Sequence, residues 1–220
     1  MTTSTAQTNS DSTPGPHGKQ ALVATVGGPR YFADWTRPDH RLRRLLSEFI
    51  GVSGLTFVLS GGAAILVLYG GGPVRAWEAA FVLSTVSALW LVAAVYFLGD
   101  ISAHFNPAMT FAFALRGDMG WPMACVYFVV QLVAAAAGSL LARALFGVEG
   151  NLAATVPQPG EGVITFALVL MVLAMTDGPK LNGTFVPLAV GAYIMSWGTM
   201  GGPFDGWLVT RAVQLTHIWI

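Results

Sequence analysis

Long stretches without a charged residue recur along this chain, and they constrain its fold more than any other feature. A helix needs about 20 consecutive apolar residues to cross the hydrocarbon core of a bilayer. Charged residues make up 10% of the chain, whereas a soluble domain has about 25%. The sequence therefore predicts an all-α membrane protein. Four uncharged segments are 26, 21, 24 and 24 residues long, and they lie between Glu48 and Arg75, Glu78 and Asp100, Asp118 and Arg143, and Lys180 and Asp205.

A fifth apolar segment is shorter, because only 15 residues separate Glu161 from Asp177. A spanning helix in this segment must begin at or before Glu161. Residues 45–220 are therefore predicted to form one transmembrane domain. Its five spanning helices are expected near residues 46–70, 77–98, 121–146, 160–176 and 183–202.

The first 44 residues differ in composition from the rest of the chain. They are rich in Ser, Thr, Gly and Pro and hold six of the eleven basic residues. Such a segment cannot bury enough apolar surface to offset its chain entropy, so residues 1–44 are predicted to be a disordered tail. Basic residues before the first span favour a cytoplasmic amino terminus in the cell membrane. Arg41, Arg43 and Arg44 could bind lipid headgroups or simply retain this end in the cytoplasm, and the second role is favoured.

Composition also argues against several other classes of protein. The eleven basic residues cancel the eleven acidic ones, which removes a general electrostatic case for nucleic acid. A single cysteine, Cys125, excludes an internal disulfide, and the four histidines are too scattered for a metal cluster. The sequence has no nucleophile beside a base and no phosphate-binding loop. We therefore predict a protein without a metal or cofactor that is not an enzyme.

The segment 97–117 carries the most specific local signal. Asn106 is a favoured helix N-cap, and Pro107 is a favoured first helical residue. The apolar run from Pro107 to Leu115 would be roughly 13 Å long as a helix, which is about half the bilayer core. We predict a re-entrant half-helix whose positive end lies near the membrane midplane. Backbone at that depth must be packed in protein or line a water-filled path.

The motif around this half-helix resembles a known family. His104-Phe-Asn-Pro-Ala-Met-Thr resembles the first Asn-Pro-Ala loop of the aquaporin, or major intrinsic protein, family. The resemblance covers residues 45–206, and six motifs in the right order make it specific. The other five are Ser47-Glu-Phe-Ile-Gly, Tyr127-Phe-Val-Val-Gln-Leu, Glu161-Gly-Val-Ile-Thr-Phe, Asn182-Gly-Thr-Phe-Val-Pro-Leu-Ala-Val-Gly and Gly201-Gly-Pro-Phe-Asp-Gly.

This resemblance implies a fold and a function. The fold would be a right-handed bundle of spanning helices built from two inverted repeats, with Glu48 and Glu161 in corresponding motifs 113 residues apart. The function would be a passive channel for water or a small uncharged solute such as glycerol. The protein would lie in a lipid bilayer as a homotetramer with one path per subunit.

The resemblance also implies roles for individual residues. Asn106, Pro107 and Ala108 would line the pore; Asn106 would donate to a passing solute, although it could be a mere N-cap. His104 would border the pore and either support the loop or contact solute. Ser87 and Gly198 would form the outer constriction. Glu48, Glu161 and Gln131 would brace the pore loops, but Glu161 could be a surface charge and Gln131 could join helices.

Two departures from the family pattern affect the second repeat. The sequence has one Asn-Pro-Ala, and after Gly206 it continues as Trp207-Leu-Val-Thr-Arg-Ala. The second Asn-Pro-Ala and its following Arg are missing, unless Thr210-Arg211-Ala212 stands in for the motif, and the sixth span is missing in either case. We therefore expect the 220-residue chain to conduct no better than empty liposomes. A version with this loop and span restored should conduct.

Two alternatives to a working channel remain open at this point. A secondary transporter with broken helices around a midplane site would need an acidic or basic group on the substrate path. Glu48 and Glu161 are the candidates for that group, although the family uses glutamate there to brace the loops. The other alternative is an incomplete, non-conducting chain of the same fold.

Overall fold

The computed structural model describes residues 40–72, 74–147, 161–177 and 185–205. In the last two of these ranges, side chains are described for residues 164–175 and 185–201. The described part of the chain forms six α-helices, namely α1 (Arg41–Tyr69), α2 (Ala76–Leu98), α3 (Pro107–Arg116), α4 (Trp121–Phe146), α5 (Glu161–Asp177) and α6 (Val186–Asp205).

The five predicted spans correspond to α1, α2, α4, α5 and α6. Among the described residues, α1, α2 and α4 are each long and apolar enough to cross a membrane, and α5 has a shorter apolar stretch from Ile164 to Met175. The predicted ends agree with the helix ends within a few residues, except at the start of α1.

Helix α1 begins at Arg41, inside the segment that was predicted to be tail. Arg41 and Arg43 are exposed, but Arg44 is 2% exposed and interacts electrostatically with Tyr127 of α4. Arg44 is therefore part of the packed interior. Neither predicted role, lipid headgroup binding or retention of this end in the cytoplasm, requires a buried arginine. Residues 1–39 lie outside the described residues, so the predicted disorder of the tail remains a prediction.

Local capping signals explain where several helices begin. At α2, the Glu78 side chain accepts from the backbone N–H of Arg75 at 3.1 Å, which satisfies a donor that precedes the first turn. Pro122 lies in the first turn of α4, where a missing N–H costs nothing. At α3, Asn106 is the N-cap and Pro107 is the first helical residue.

Helices α1 and α4 pack closely because a glycine lies at their crossing. A Cβ atom on Gly138 of α4 would overlap the carbonyl oxygen of Ser53 in α1. Nearby, the Thr56 hydroxyl of α1 donates to the Ala135 carbonyl of α4 at 3.1 Å. Helix α2 joins the other side of α1, where the indole N–H of Trp90 donates to the Gly51 carbonyl at 2.9 Å. These contacts form a three-helix frame of α1, α2 and α4.

Helix α6 packs mainly on α2, and helix α5 contacts α6 and α3. The Tyr193 hydroxyl of α6 donates to the Ile164 carbonyl of α5 at 2.9 Å. The main hydrophobic core runs between these helices and includes Leu55 of α1, Leu91 of α2 and Phe105 of the loop before α3. The core therefore reaches the loop that precedes the short helix.

Candidate functional site

Helix α3 is the short helix that the sequence predicted. It has 10 residues, and Asn106 is its N-cap with its side-chain oxygen accepting from the Ala108 N–H at 2.8 Å. Its other end is closed by Gly117 in the left-handed conformation at φ 86°, a geometry that glycine adopts without strain. A helix of this length is about 15 Å long, or half the thickness of a bilayer core. Its existence and its start are confirmed.

The carboxyl end of α3 carries its own ion pair. Arg116 pairs with Asp118, just past the helix end, and its guanidinium lies 5.2 Å from the centre of the Phe113 ring. A cation in the last turn also interacts favourably with the negative end of the helix dipole. The positive charge of Arg116 and the negative charge of Asp118 thus cancel each other at the end of α3.

Glu48 holds the loop that leads into α3. Its side chain is 0% exposed, and it accepts four hydrogen bonds from groups on the loop and on α4. One carboxylate oxygen accepts from the Ser102 hydroxyl at 2.6 Å and the His104 N–H at 2.8 Å. The other accepts from the Phe105 N–H at 2.8 Å and the Gln131 amide at 2.9 Å. Four donors fill the roughly four acceptor sites of a carboxylate, so its charge is fully satisfied.

Two further hydroxyl groups fix the same loop. The Ser47 hydroxyl of α1 donates to the Ser102 carbonyl at 2.6 Å. The Ser102 hydroxyl already donates to Glu48, so it accepts from the Tyr127 hydroxyl, which lies 3.1 Å away. The loop is therefore attached to both α1 and α4 before α3 begins.

Phe105 has an unusual backbone conformation immediately before Asn106. Its φ of 48° lies in the left-handed region, which bulky residues rarely adopt and which costs about 1–3 kcal/mol. Its ring is buried against Gly51 of α1, where a Cβ atom would overlap the ring. The bond from its N–H to Glu48 and this packing hold the strained turn that aims Asn106 and α3.

His104 lies inside the loop and is buried. Its Nδ1 is 2.9 Å from the Thr110 hydroxyl of α3. Its ring stacks on Phe113 with 4.8 Å between centroids and meets the Tyr127 ring edge-on at 5.3 Å. These contacts are those of a packed support for the loop, one of the two roles that the resemblance implied.

Gln131 joins three parts of the site. Its amide nitrogen donates to Glu48 at 2.9 Å and to the Thr110 hydroxyl at 3.0 Å. It therefore connects α4 to α1 and to α3 at once. Both hydrogen bonds run between helices, and the predicted role of Gln131 in support of the loop remains a prediction.

The two ends of the Asn106 amide have different environments. The oxygen caps α3, whereas the buried nitrogen has no hydrogen-bond partner within the described part of the chain. Pro107 and Ala108, which follow it, are half-buried. The two hydrogens of this amide are therefore available to donate hydrogen bonds.

The two residues predicted for an outer constriction lie on α2 and α6. Ser87 is buried and its hydroxyl donates to the Leu83 carbonyl of its own helix at 2.6 Å. Gly198 is opposite Ser84, not Ser87, since a Cβ atom on Gly198 would overlap the Ser84 hydroxyl. A constriction at Ser87 and Gly198 remains a prediction. Ser84, one helical turn before Ser87, is a residue that the sequence reasoning missed.

Three other residues of the site were also missed, namely Thr110, Ser102 and Tyr127. Helical spacing gave a signal for two of them. Thr110 follows Asn106 by four residues on α3, and Tyr127 precedes Gln131 by four on α4, so each shares a helix face with a residue that was identified. Glu161 begins α5, but its side chain lies outside the described residues, and its predicted bracing role remains a prediction.

The comparisons with known proteins agree with this architecture. The model of the family described as Major intrinsic protein matches residues 35–218. The chain is 33% identical over 178 residues to Aquaporin NIP1-4 of Oryza sativa subsp. japonica, covering 75% of this chain and 62% of that relative. It is 33% identical over 193 residues to Probable aquaporin TIP3-2 of Arabidopsis thaliana, covering 78% and 70%.

A solved structure shows the same fold. The X-ray structure of the aquaglyceroporin from Plasmodium falciparum matches with a TM-score of 0.63 at 21% identity, over 81% of this chain and 82% of that chain. The chain spans 62% and 65% of the length of the relatives Aquaporin NIP1-4 and Probable aquaporin NIP7-1 of Arabidopsis thaliana.

Fold and site together define a class, a multi-pass membrane protein whose helical bundle includes a half-helix begun by Asn-Pro-Ala. Within that class, the chain belongs to the major intrinsic protein family, which contains the aquaporins.

Proposed function

We propose that this protein is a passive channel for water or a small uncharged solute such as glycerol. The observation that carries the proposal is the buried amide nitrogen of Asn106, which has no hydrogen-bond partner within the described residues while its oxygen caps α3. A donor held rigidly at the start of a half-helix can bind the oxygen of a passing molecule.

The mechanism follows from the amino-terminal end of α3. The first N–H groups of a helix have no partner within the helix, and the helix dipole makes this end positive. Pro107 has no N–H, so the Asn106 amide is the side-chain donor next to that end. A solute oxygen is attracted, and the same positive end raises the barrier to cations, including protons. The solute passes without being held, since few other polar groups are offered.

The state of Glu48 favours a channel over a secondary transporter. A transporter would need a charged group on the substrate path. The carboxylate of Glu48 is buried and already accepts four hydrogen bonds, so it is occupied by the loop. We therefore assign Glu48 the role of a brace for the loop before α3.

Several finer properties belong to the same proposal. Glu161 would brace a second loop as Glu48 braces the first. The residues before α1, which begins at Arg41, would form a cytoplasmic tail, with the protein in the cell membrane. A homotetramer would be detected by native mass measurement in mild detergent, and a stable monomer would contradict it.

Reconstitution into liposomes tests the channel. Permeability to water and glycerol would be measured by light scattering after an osmotic step. Two proteins would be compared, namely the 220-residue chain and a version carrying the second loop and sixth span of a relative. We expect the extended version to conduct above the level of empty liposomes, and the 220-residue chain measured beside it shows how much of this permeability needs the added segments. Equal permeation by both would show that one half-helix suffices.

Two substitutions at Asn106 separate its two roles. Asn106→Ala removes both the cap and the donor, whereas Asn106→Asp keeps a cap oxygen and removes the amide hydrogens. We expect both variants to lose solute permeability, and we expect Asn106→Ala alone to lose about 0.5–2 kcal/mol of stability. Unchanged permeability of Asn106→Asp would mean that Asn106 is only a cap.

A further inference from the structure

Four buried side chains form a continuous hydrogen-bonded series from α1 to the loop before Asn106. Glu48 is 2.9 Å from the Gln131 amide nitrogen, which is 3.0 Å from the Thr110 hydroxyl. The Thr110 hydroxyl is in turn 2.9 Å from Nδ1 of His104. The series crosses from α1 to α4, then to α3, and ends at the residue two before the pore asparagine.

The direction of the first two bonds is determined by Glu48. An ionised carboxylate only accepts hydrogen bonds, so the group of Gln131 that faces it must be the NH₂. That NH₂ has two hydrogens, and one is bound by Glu48 and the other by the Thr110 oxygen. Thr110 is therefore an acceptor toward Gln131, and its own hydrogen must go elsewhere.

Two acceptors lie within reach of the Thr110 hydrogen. The Asn106 carbonyl is 3.3 Å away and already accepts the Thr110 backbone N–H at 3.0 Å. Nδ1 of His104 is closer, at 2.9 Å. Hydroxyl hydrogen bonds are usually 2.5–3.0 Å long, so the contact with Nδ1 is the shorter and stronger of two hydrogen bonds open to the Thr110 hydroxyl. If the Thr110 hydrogen is directed at Nδ1, then Nδ1 carries no proton.

We infer that Thr110 is a positioning residue that fixes His104 as the neutral tautomer with its hydrogen on Nε2. A proton on Nδ1 would instead donate to the Thr110 oxygen, and the Thr110 hydrogen would then have only the longer contact with the Asn106 carbonyl. Thr110 therefore selects one proton arrangement and one ring orientation.

The position of Thr110 explains why the tautomer and ring orientation of His104 matter for the pore. His104 precedes Asn106 by two residues, and Thr110 lies one helical turn after Asn106. The hydroxyl of Thr110 thus bridges the two sides of Asn106, between the strained turn at Phe105 and the first turn of α3. Loss of this bridge would let the His104 ring rotate and would loosen the turn that aims the Asn106 amide. This consequence for permeation rests on the proposed channel function.

Solid-state ¹⁵N NMR of the protein in lipid bilayers tests the tautomer directly. Replacing His17, His40 and His217 by Gln leaves His104 as the single histidine of the chain. We expect Nδ1 without a proton and Nε2 with one. The Thr110→Ser variant should retain this pattern, and Thr110→Val, which has no hydroxyl, should give both tautomers or shift the proton to Nδ1.

Permeability is the second readout, measured on a version that conducts. We expect Thr110→Val to lower it several-fold and Thr110→Ser to keep it. Thr85→Val is the matched control, because the Thr85 hydroxyl only donates to the Phe81 carbonyl of its own helix; it should change neither readout. A proton on Nδ1 in the unsubstituted protein, or a Thr110→Val variant with unchanged NMR and permeability, would overturn the inference. If no version conducts, the channel proposal fails while the NMR result still decides the role of Thr110.

Discussion

The contact of α1, α3 and α4 around Asn106 and the contact of α2 with α6 are built differently. In the first, buried polar groups are joined by directional hydrogen bonds, as at Glu48 and Gln131. In the second, small residues let two helices approach, and the hydroxyls of Ser84 and Thr199 are buried without a hydrogen-bond partner in the described part of the chain. Hydrogen bonds therefore fix the packing of the first region, and the close fit of small side chains fixes the packing of the second.

This difference predicts opposite responses to substitution. Removing a polar atom from the first region leaves a buried partner unsatisfied, which costs about 1–3 kcal/mol per group. Adding an atom to the second region forces overlap, which also costs about 1–3 kcal/mol. Removing a polar atom from the second region should cost little, because nothing is bound to it.

The largest effect is expected for Glu48→Leu. This change leaves four donors without their acceptor, two of them backbone N–H groups, so the loss should be several times the roughly 1–3 kcal/mol of a single unsatisfied group. The protein should fail to give a monodisperse peak in detergent. Glu78→Gln is the control, because it keeps an oxygen for the Arg75 N–H and removes only an exposed ion pair, and such pairs contribute about 0–1 kcal/mol. A normal melting temperature for Glu48→Leu would show that the loop does not depend on this carboxylate.

A smaller loss is expected for Gly198→Ala in the second region. The added Cβ would overlap the Ser84 hydroxyl, at a cost of about 1–3 kcal/mol. Combining it with Ser84→Ala removes the overlapping atom and should recover part of the loss in a double-mutant cycle of thermal unfolding. Strictly additive effects would mean that Ser84 and Gly198 do not touch.

The smallest effects on stability are expected for two serine substitutions, Ser102→Ala and Ser84→Ala. They compare the two regions directly, because the two serines are almost equally buried. Ser102 is 2% exposed and Ser84 is 1% exposed. Ser102 donates to Glu48 and accepts from Tyr127, so Ser102→Ala should cost about 1–3 kcal/mol. Ser84→Ala should leave the melting temperature unchanged or raise it slightly. Equal losses at both positions would remove the distinction between the two regions.

Much of the fold could be predicted from local sequence. The spans follow from the lengths of uncharged segments, and the start of α3 follows from Asn106 and Pro107, whose effects act within one helical turn. The candidate site was predicted less completely. Asn106, Glu48 and Gln131 were identified, but the link between them through Thr110 was not. The burial of Arg44 was not predicted either, because basic residues near a helix start usually remain in solvent.

The sequence by itself determined which segments are helices, because span length and capping are local properties. Only the tertiary structure decided which side of each helix faces its neighbours. These helices are apolar on most sides, so hydrophobic periodicity does not indicate a buried face. In α2, for example, Leu89 is exposed and Leu91 is buried. The partners of Glu48 are 54 to 83 residues away along the chain, and helix rotation and close approach at glycines bring them together.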